Sequence, residues 1–351
     1  MNDENEFTFC GKPFGTNKPP LIVAEIGFNH NGDVELACKM IRSAVQNGAD
    51  IVKLQTFIGG ELVSKTVRTQ DPDQPGREIF LYEFFQRHQL TREDYETVFE
   101  FSRGLGVPLF STPFDEASLD MLLELGVPAV KVASSDLTYL PFLKRVGQTG
   151  LPVVLSTGMG TNKEIDTALK TVRPEGNENI ILLLCVSNYP SQYHEMNLAC
   201  MKEISSRFKV PVGLSDHTMD NLSGVVAASL GAVMIEKHFT TDRKLPGVDQ
   251  KISMEPSELA AFKETTVNVR TLLGDGGKKV QNSEESLKRS ARRSLVARVD
   301  IGPGTVFTSE MISLKRPGTG IPPADLERVI GQTAKTRIHA EQVITWDMVW
   351  C

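Results

Sequence analysis

The sequence is poor in the features that would place it in a membrane, in an oxidising compartment or on nucleic acid. Its five cysteines, Cys10, Cys38, Cys185, Cys200 and Cys351, are odd in number and lack the CxxC spacing of a zinc knuckle or redox pair. Scattered thiols of this kind suit a reducing compartment, so a cytoplasmic protein is expected. No apolar run approaches the roughly 20 residues of a helical membrane span. The N-terminal stretch MNDENEFTFCGKPFG is acidic and has neither a basic leader nor an apolar core, unlike a secretory signal. Charge of one sign is also scarce: 38 Lys and Arg face 44 Asp and Glu, a net of -6. That balance argues against non-specific binding to nucleic acid or membrane, while leaving room for a locally basic pocket.

What is present is a long alternation. The chain has 351 residues, enough for one barrel-sized core and a small second domain, and its 40% hydrophobic and 23% charged content is ordinary for a globular protein. Short β-branched runs at 21–26, 51–55, 108–112, 129–133, 153–157, 180–185, 212–215 and 233–238 predict strands covered on both faces. Amphipathic stretches at 34–47, 92–105, 163–172 and 221–230 predict helices between them. Eight strands alternating with helices predict a (β/α)8 TIM barrel over residues 1–275. About 50 residues separate the second strand from the third, more than a simple unit needs. Residues 58–90, polar and broken by Pro and Gly, are therefore expected to form an insertion above the barrel mouth. A polar stretch at 276–290 predicts a linker. Residues 291–351, rich in turn signals, predict a compact β-rich module whose conspicuous element is the basic pair Lys315 and Arg316 entering a Pro-Gly turn.

The predicted strands end in polar residues: Glu25, Lys53 with Gln55, Thr112, Lys131, Ser156, Ser187, Ser215 with His217, and Glu236 with His238. In a parallel barrel these ends converge on the C-terminal rim, where barrel enzymes keep their chemistry. Residues two apart on a strand share a face, so each of these pairs points the same way. A lysine inside an apolar strand is costly to bury alone, so Lys53 and Lys131 call for a carboxylate partner or a bound anion. The hydroxyls of Thr112, Ser134, Ser156, Ser187 and Ser215 add donors for phosphate oxygens. His217 and His238, on neighbouring closing strands, suit one divalent metal ion, with Asp216 and Glu236 beside them. Neutral, hydrogen-bonded core histidines are the plainer alternative.

The motifs EIGFNHNG (25–32), KLQTF (53–57), FSTPFD (110–115), VKVASSD (130–136), LSTGM (155–159), SNYP (187–190), GLSDHT (213–218) and EKHFT (236–240) closely resemble the sialic acid synthase family. Those enzymes condense phosphoenolpyruvate with an N-acylated amino sugar. The C-terminal segment, with LKRPGTGI and VIGQTA, resembles that family's antifreeze-like SAF domain. The resemblance implies that Glu25 lies beside the reacting carbon and that His217 and His238 hold a divalent ion, Mn2+ first and Mg2+ or Co2+ as alternatives. It implies phosphoenolpyruvate contacts at Lys53, Thr112, Lys131, Ser134, Ser156, Ser187 and Ser215, and sugar contacts at Gln55, Tyr189 and Asp249. It further implies a domain-swapped homodimer in which Arg316 reaches the partner's barrel. Departures fall on the acceptor side: Ser135 and Asp136 stand where the family often has Gly-Glu, and Gln250 where many members have His. Other readings remain open: a synthase of the legionaminic or pseudaminic type or one that makes a 9-phosphate, a related synthase accepting a pentose or tetrose phosphate, a Schiff-base aldolase using Lys53 or Lys131, and a non-catalytic carbohydrate-binding protein.

Overall fold

In a computed structural model the protein is described over residues 7–74 and 76–350. It divides after Gly274 into two compact units, each described by itself below. Cys351 and the first six residues of the acidic N-terminus lie outside the described residues; Cys10, Cys38, Cys185 and Cys200 are free thiols.

The first unit is a closed barrel of eight parallel strands: β1 (Leu21–Gly27), β2 (Ile51–Thr56), β3 (Leu109–Pro113), β4 (Val130–Val132), β5 (Val153–Ser156), β6 (Ile180–Cys185), β7 (Val212–Asp216) and β8 (Met234–His238). Every predicted strand is present within two residues. Alternation along each strand sorts the side chains into two groups. Ile22, Ala24, Ile26, Val52, Leu54, Leu182 and Leu214 point outward into the layer packed under the helices. Val23, Ile51, Phe110, Val154, Ile181 and Leu183 point inward and fill the N-terminal half of the barrel. The next inward layer is polar, and it forms the floor of the site.

The predicted helices are observed at Val34–Gln46, Arg92–Gly104, Asn162–Val172 and Leu222–Ser229. Their starts are set by local chemistry: Asp33, Thr91 and Thr161 accept hydrogen bonds from first-turn amides, and Glu164 returns the bond to Thr161 as a capping box. A long helix, Pro256–Leu273, closes the unit and ends at Gly274 with φ +61°.

Two features go beyond the sequence reading. Residues 7–14 form a β-hairpin, Phe7–Phe9 against Lys12–Phe14, turned at Cys10 and Gly11, which both have positive φ. It carries Phe9 and Phe14 into the lower barrel layer, where Phe9 meets the Phe110 ring edge-on at 5.9 Å. The described residues of the insertion at 58–90 form regular elements: a turn of helix (Gly59–Leu62), an antiparallel pair (Arg68–Gln70 with Glu78–Phe80) and a helix, Leu81–His88. Phe84 and Phe85 of that helix pack edge-on against Phe28, and Phe85 against Phe57, so the insertion is fastened to the loops above β1 and β2.

The second unit has its own core of Leu295, Ile301, Phe307, Ile321, Ile338 and Ile344. Short antiparallel pairs, Ser294–Ala297 with Ile312–Lys315 and Thr333–Ala334 with Val349–Trp350, surround it. The segment read as a linker includes most of a two-turn helix, Glu285–Ala291, with no buried residue. Its polarity follows from that exposure and hides it from a hydrophobic-pattern reading.

Candidate active site

The polar layer and the loops above it enclose a cavity of about 320 Å3 at the C-terminal mouth of the barrel. Thirteen of the fourteen candidate residues line it: Glu25, Lys53, Gln55, Thr112, Lys131, Ser134, Ser156, Ser187, Tyr189, Ser215, His217, His238 and Asp249. The fourteenth, Arg316, belongs to the second unit.

Register explains the convergence. Glu25 pairs with His238 on one side and Lys53 on the other, Gln55 lies beside Thr112, and Ser215 beside Glu236. Lys53 Nζ sits 2.6 Å from Glu25 Oε2, donates to Thr112 Oγ1 at 2.9 Å, and lies 3.7 Å from Glu236 Oε2. Burial works against the Lys53 charge, but Glu236 and Glu25 outweigh it and hold the ammonium above its ordinary pKa. Lys131 Nζ donates to Ser156 Oγ at 2.7 Å and is 3.9 Å from Glu236 Oε1. Burial prevails there and lowers its pKa, although Glu236 opposes the shift. Both lysines thus have the carboxylate partner that their burial requires, and both also face the cavity.

Glu236, which the sequence sets beside the paired histidines, is the hub of the floor, within reach of both lysines. It lies between the two lysines and accepts from Ser215 Oγ at 3.1 Å. Burial would raise its pKa, but Lys131 and Lys53 hold it below the usual carboxylate value. The two-residue spacing to His238 is the signal that points to it, since a strand that turns His238 inward turns Glu236 inward too. The expectation for Asp216 is corrected by the same alternation. It faces outward, 2.9 Å from Lys237 Nζ, in a fully buried ion pair behind the strands.

The imidazoles stand at the rim with ring centroids 5.6 Å apart. His217 Nδ1 is 2.9 Å from the Val186 carbonyl, which leaves Nε2 without a lone-pair commitment. His238 is buried, its pKa lowered by desolvation first, and its Nδ1 has no hydrogen-bond partner, with Asp249 Oδ2 at 3.7 Å. The Tyr189 ring packs on His217 at 4.1 Å. No group of three or more metal-type ligands occurs among the described residues. Two imidazole nitrogens, with an orphaned one beside a carboxylate, nevertheless fit a divalent ion that keeps open positions for water and substrate.

Close approach is built in at two glycines. Gly27 has φ +58°, and a Cβ there would lie 3.1 Å from Glu25 Oε1, the oxygen that accepts from Gln55 Nε2 at 3.0 Å. A Cβ on Gly158 would fall 2.3 Å from Ser187 Oγ and 2.7 Å from Ser134 Oγ. Of the segment 134–136, Ser134 and Ser135 line the cavity, while burial lifts the Asp136 carboxyl to about 6.

Chemistry of this kind at the mouth of a closed parallel barrel makes the chain a (β/α)8 enzyme suited to a small anionic substrate. Comparison with known proteins narrows that class. The chain belongs to the NeuB family, whose profile matches residues 40–278, and the SAF domain profile matches residues 292–349. It is 37% identical to the N,N'-diacetyllegionaminic acid synthase of Legionella pneumophila subsp. pneumophila, over 96% of this chain and 97% of that one. It is 31% identical to the N-acetylneuraminate-9-phosphate synthase of Homo sapiens, over 98% and 97%. Among solved structures, the N-acetylneuraminic acid synthetase of Leptospira borgpetersenii, a citrate complex, superposes with a TM-score of 0.73 at 33% identity, covering 81% of this chain and 95% of that one.

Proposed function

We propose that the protein condenses phosphoenolpyruvate with the open-chain form of an N-acylated amino sugar, N-acetylmannosamine or a related hexose, to give a nine-carbon 2-keto sugar acid and phosphate. The observation that carries this reading is the shared cavity: two buried ammonium groups on the floor and two imidazoles on the rim. Membership of a family whose relatives are named as sialic, legionaminic and pseudaminic acid synthases supports it.

Lys53 and Lys131, with Thr112, Ser134, Ser156, Ser187 and Ser215, hold the phosphate and carboxylate of phosphoenolpyruvate by charge-assisted hydrogen bonds. A divalent ion, Mn2+ first, held by His217 and His238, would supply Lewis acidity toward the acceptor's aldehyde oxygen. Gln55, Tyr189 and Asp249 hold the sugar. The enol C3 then attacks the aldehyde carbon, water adds to C2, and the tetrahedral product expels phosphate by C–O cleavage. Glu25, fixed by Lys53 and Gln55, is placed to orient the water or take its proton. A raised Lys53 pKa favours this anion-holding role over Schiff-base nucleophilicity, because the ammonium carries no lone pair.

The reading includes a head-to-tail homodimer in which Arg316 enters the partner's barrel, and a cytoplasmic location. No helix among the described residues is long and apolar enough to cross a membrane. Phosphate release from phosphoenolpyruvate is the direct assay. It should require an N-acylated mannosamine and stop when a chelator is added. Borohydride trapping of Lys53 or Lys131 with a carbonyl substrate such as pyruvate, in a turnover that releases no phosphate and ignores the chelator, would replace this reading with the aldolase.

A further inference from the structure

Behind the imidazoles stands a charge pair that the proposed mechanism does not use. The outward layer of the barrel is apolar along β7 and β8, where Leu214 and Ile235 pack under the helices. Two residues further along each strand, the same face carries Asp216 and Lys237, register partners whose side chains are 0% and 1% exposed. Each is followed directly by a cavity histidine, His217 on one strand and His238 on the other. A buried ion pair is weak grounds for stability, since apolar residues of similar volume often serve as well in its place. The hydrogen bonds of this pair give it another use. Asp216 Oδ1 accepts from the Thr218 amide at 2.9 Å and from Thr218 Oγ1 at 2.8 Å, closing a turn around His217. Lys237 Nζ donates to Asp216 Oδ2 at 2.9 Å and to the Thr218 carbonyl at 2.6 Å. The residue before His238 therefore grips both chain neighbours of His217.

His217 needs that grip more than His238 does. Strand β7 ends at Asp216, so the ladder stops one residue short of His217, whose carbonyl accepts from the Ser191 amide at 3.0 Å. His238 is still within β8. Its carbonyl accepts from the Met254 amide at 2.7 Å, and the next amide, Phe239, donates to the Glu25 carbonyl at 2.7 Å. A single ion shared by two imidazoles demands that both be held within about 0.5 Å of their places. Resting on the metal-holding role proposed for the two histidines, we infer that Asp216 and Lys237 are positioning residues for that ion. The pair ties the end of β7 to β8, fixes the separation of the imidazoles and so sets the affinity for the divalent cation. Lys53 and Lys131 face the cavity, on the opposite side of the strands. The pair therefore governs the metal half of the pocket and not the anion half.

The test is the dissociation constant for Mn2+, read from the electron paramagnetic resonance signal of the free ion in titrations of the full chain. Asp216→Asn combined with Lys237→Met removes the tie between the strands, leaves no unpaired charge and keeps an oxygen for the Thr218 amide. This double variant should bind Mn2+ about 10–100-fold more weakly, the usual effect of losing a group that orients metal ligands, while phosphoenolpyruvate affinity measured without metal stays within about threefold. Thr218→Val, a milder change that loosens the turn around His217, should weaken Mn2+ binding several-fold in a chain that keeps its thermal transition. It decides the matter should the double variant not fold. Native Mn2+ affinity in the folded variants, or equal losses for Mn2+ and phosphoenolpyruvate, would overturn the inference and leave the condensation intact. A native chain that binds Mn2+ no better than one carrying His217→Ala and His238→Ala would remove the metal-holding role as well.

Discussion

Lys53 is the residue on which the floor turns, because two buried carboxylates, Glu25 and Glu236, depend on it. Lys53→Met would leave both without their ammonium partner, and loss of one member of a buried ion pair typically costs about 3–5 kcal/mol. Chemical denaturation should show that loss together with abolished phosphate release. An additional Glu25→Gln change on the same chain should recover part of the stability but none of the activity. A second residue governs acid sensitivity. His30 is buried, and desolvation first, with His88 beside it, depresses its pKa from 6.5 to about 4. The unfolded chain therefore binds the proton more readily, so the stability His30 contributes is fully present above pH 6.5 and is lost as pH falls toward 4. The loss should reach about 3 kcal/mol across that window. Unfolding curves for His30→Gln should be flatter over the same range, and an unchanged slope would contradict the assignment.

At the scale of elements, the barrel strands are legible in the sequence because burial on both faces demands unbroken β-branched runs, and the polar strand ends are legible because strand period fixes which residues share a face. That period turns Glu236 inward with His238, but its place between the two lysines depends on strands far apart in the sequence. Asp216 misleads because adjacency in sequence reverses direction in a strand. The hairpin at 7–14 carries too few residues for any periodicity, and its purpose, closing the lower barrel with Phe9 and Phe14, depends on distant strands. Phe9→Ala should therefore destabilise the barrel by about 3–5 kcal/mol, the usual cost of emptying a buried aromatic site, without changing KM for phosphoenolpyruvate. Gly158→Ala should do the reverse. Its Cβ would displace the Ser134 and Ser187 hydroxyls, so phosphoenolpyruvate turnover should fall about 100-fold with little change in thermal midpoint.

At the scale of the whole molecule, the two units divide the labour unequally. The barrel supplies every catalytic group the structure brings together, whereas the second unit contributes Arg316 by proposal. A swapped homodimer gives that proposal a quantitative form. Chains carrying Glu25→Gln and chains carrying Arg316→Ala should each be inactive alone. Mixed under conditions that allow exchange, they should regain about a quarter of the native activity, since only half of the dimers are mixed and each holds one complete site. No regain on mixing, with exchange verified, would place Arg316 in its own chain's site or in none. The upper rim is the least legible part of the site, because residues such as Phe28 and Met159 carry no charge or hydrogen-bonding group to mark them and join the cavity only where the barrel places them.

On the proposed reaction the lysines and the imidazoles serve one pocket, anion below and cation above. A crystal soaked with Mn2+ and phosphoenolpyruvate, measured for anomalous scattering from manganese, tests it most directly. The expected result is a manganese peak within bonding distance of both His217 and His238, with phosphoenolpyruvate density in contact with Lys53 and Lys131 in the same cavity. Manganese bound elsewhere, or phosphoenolpyruvate outside the barrel mouth, would contradict it.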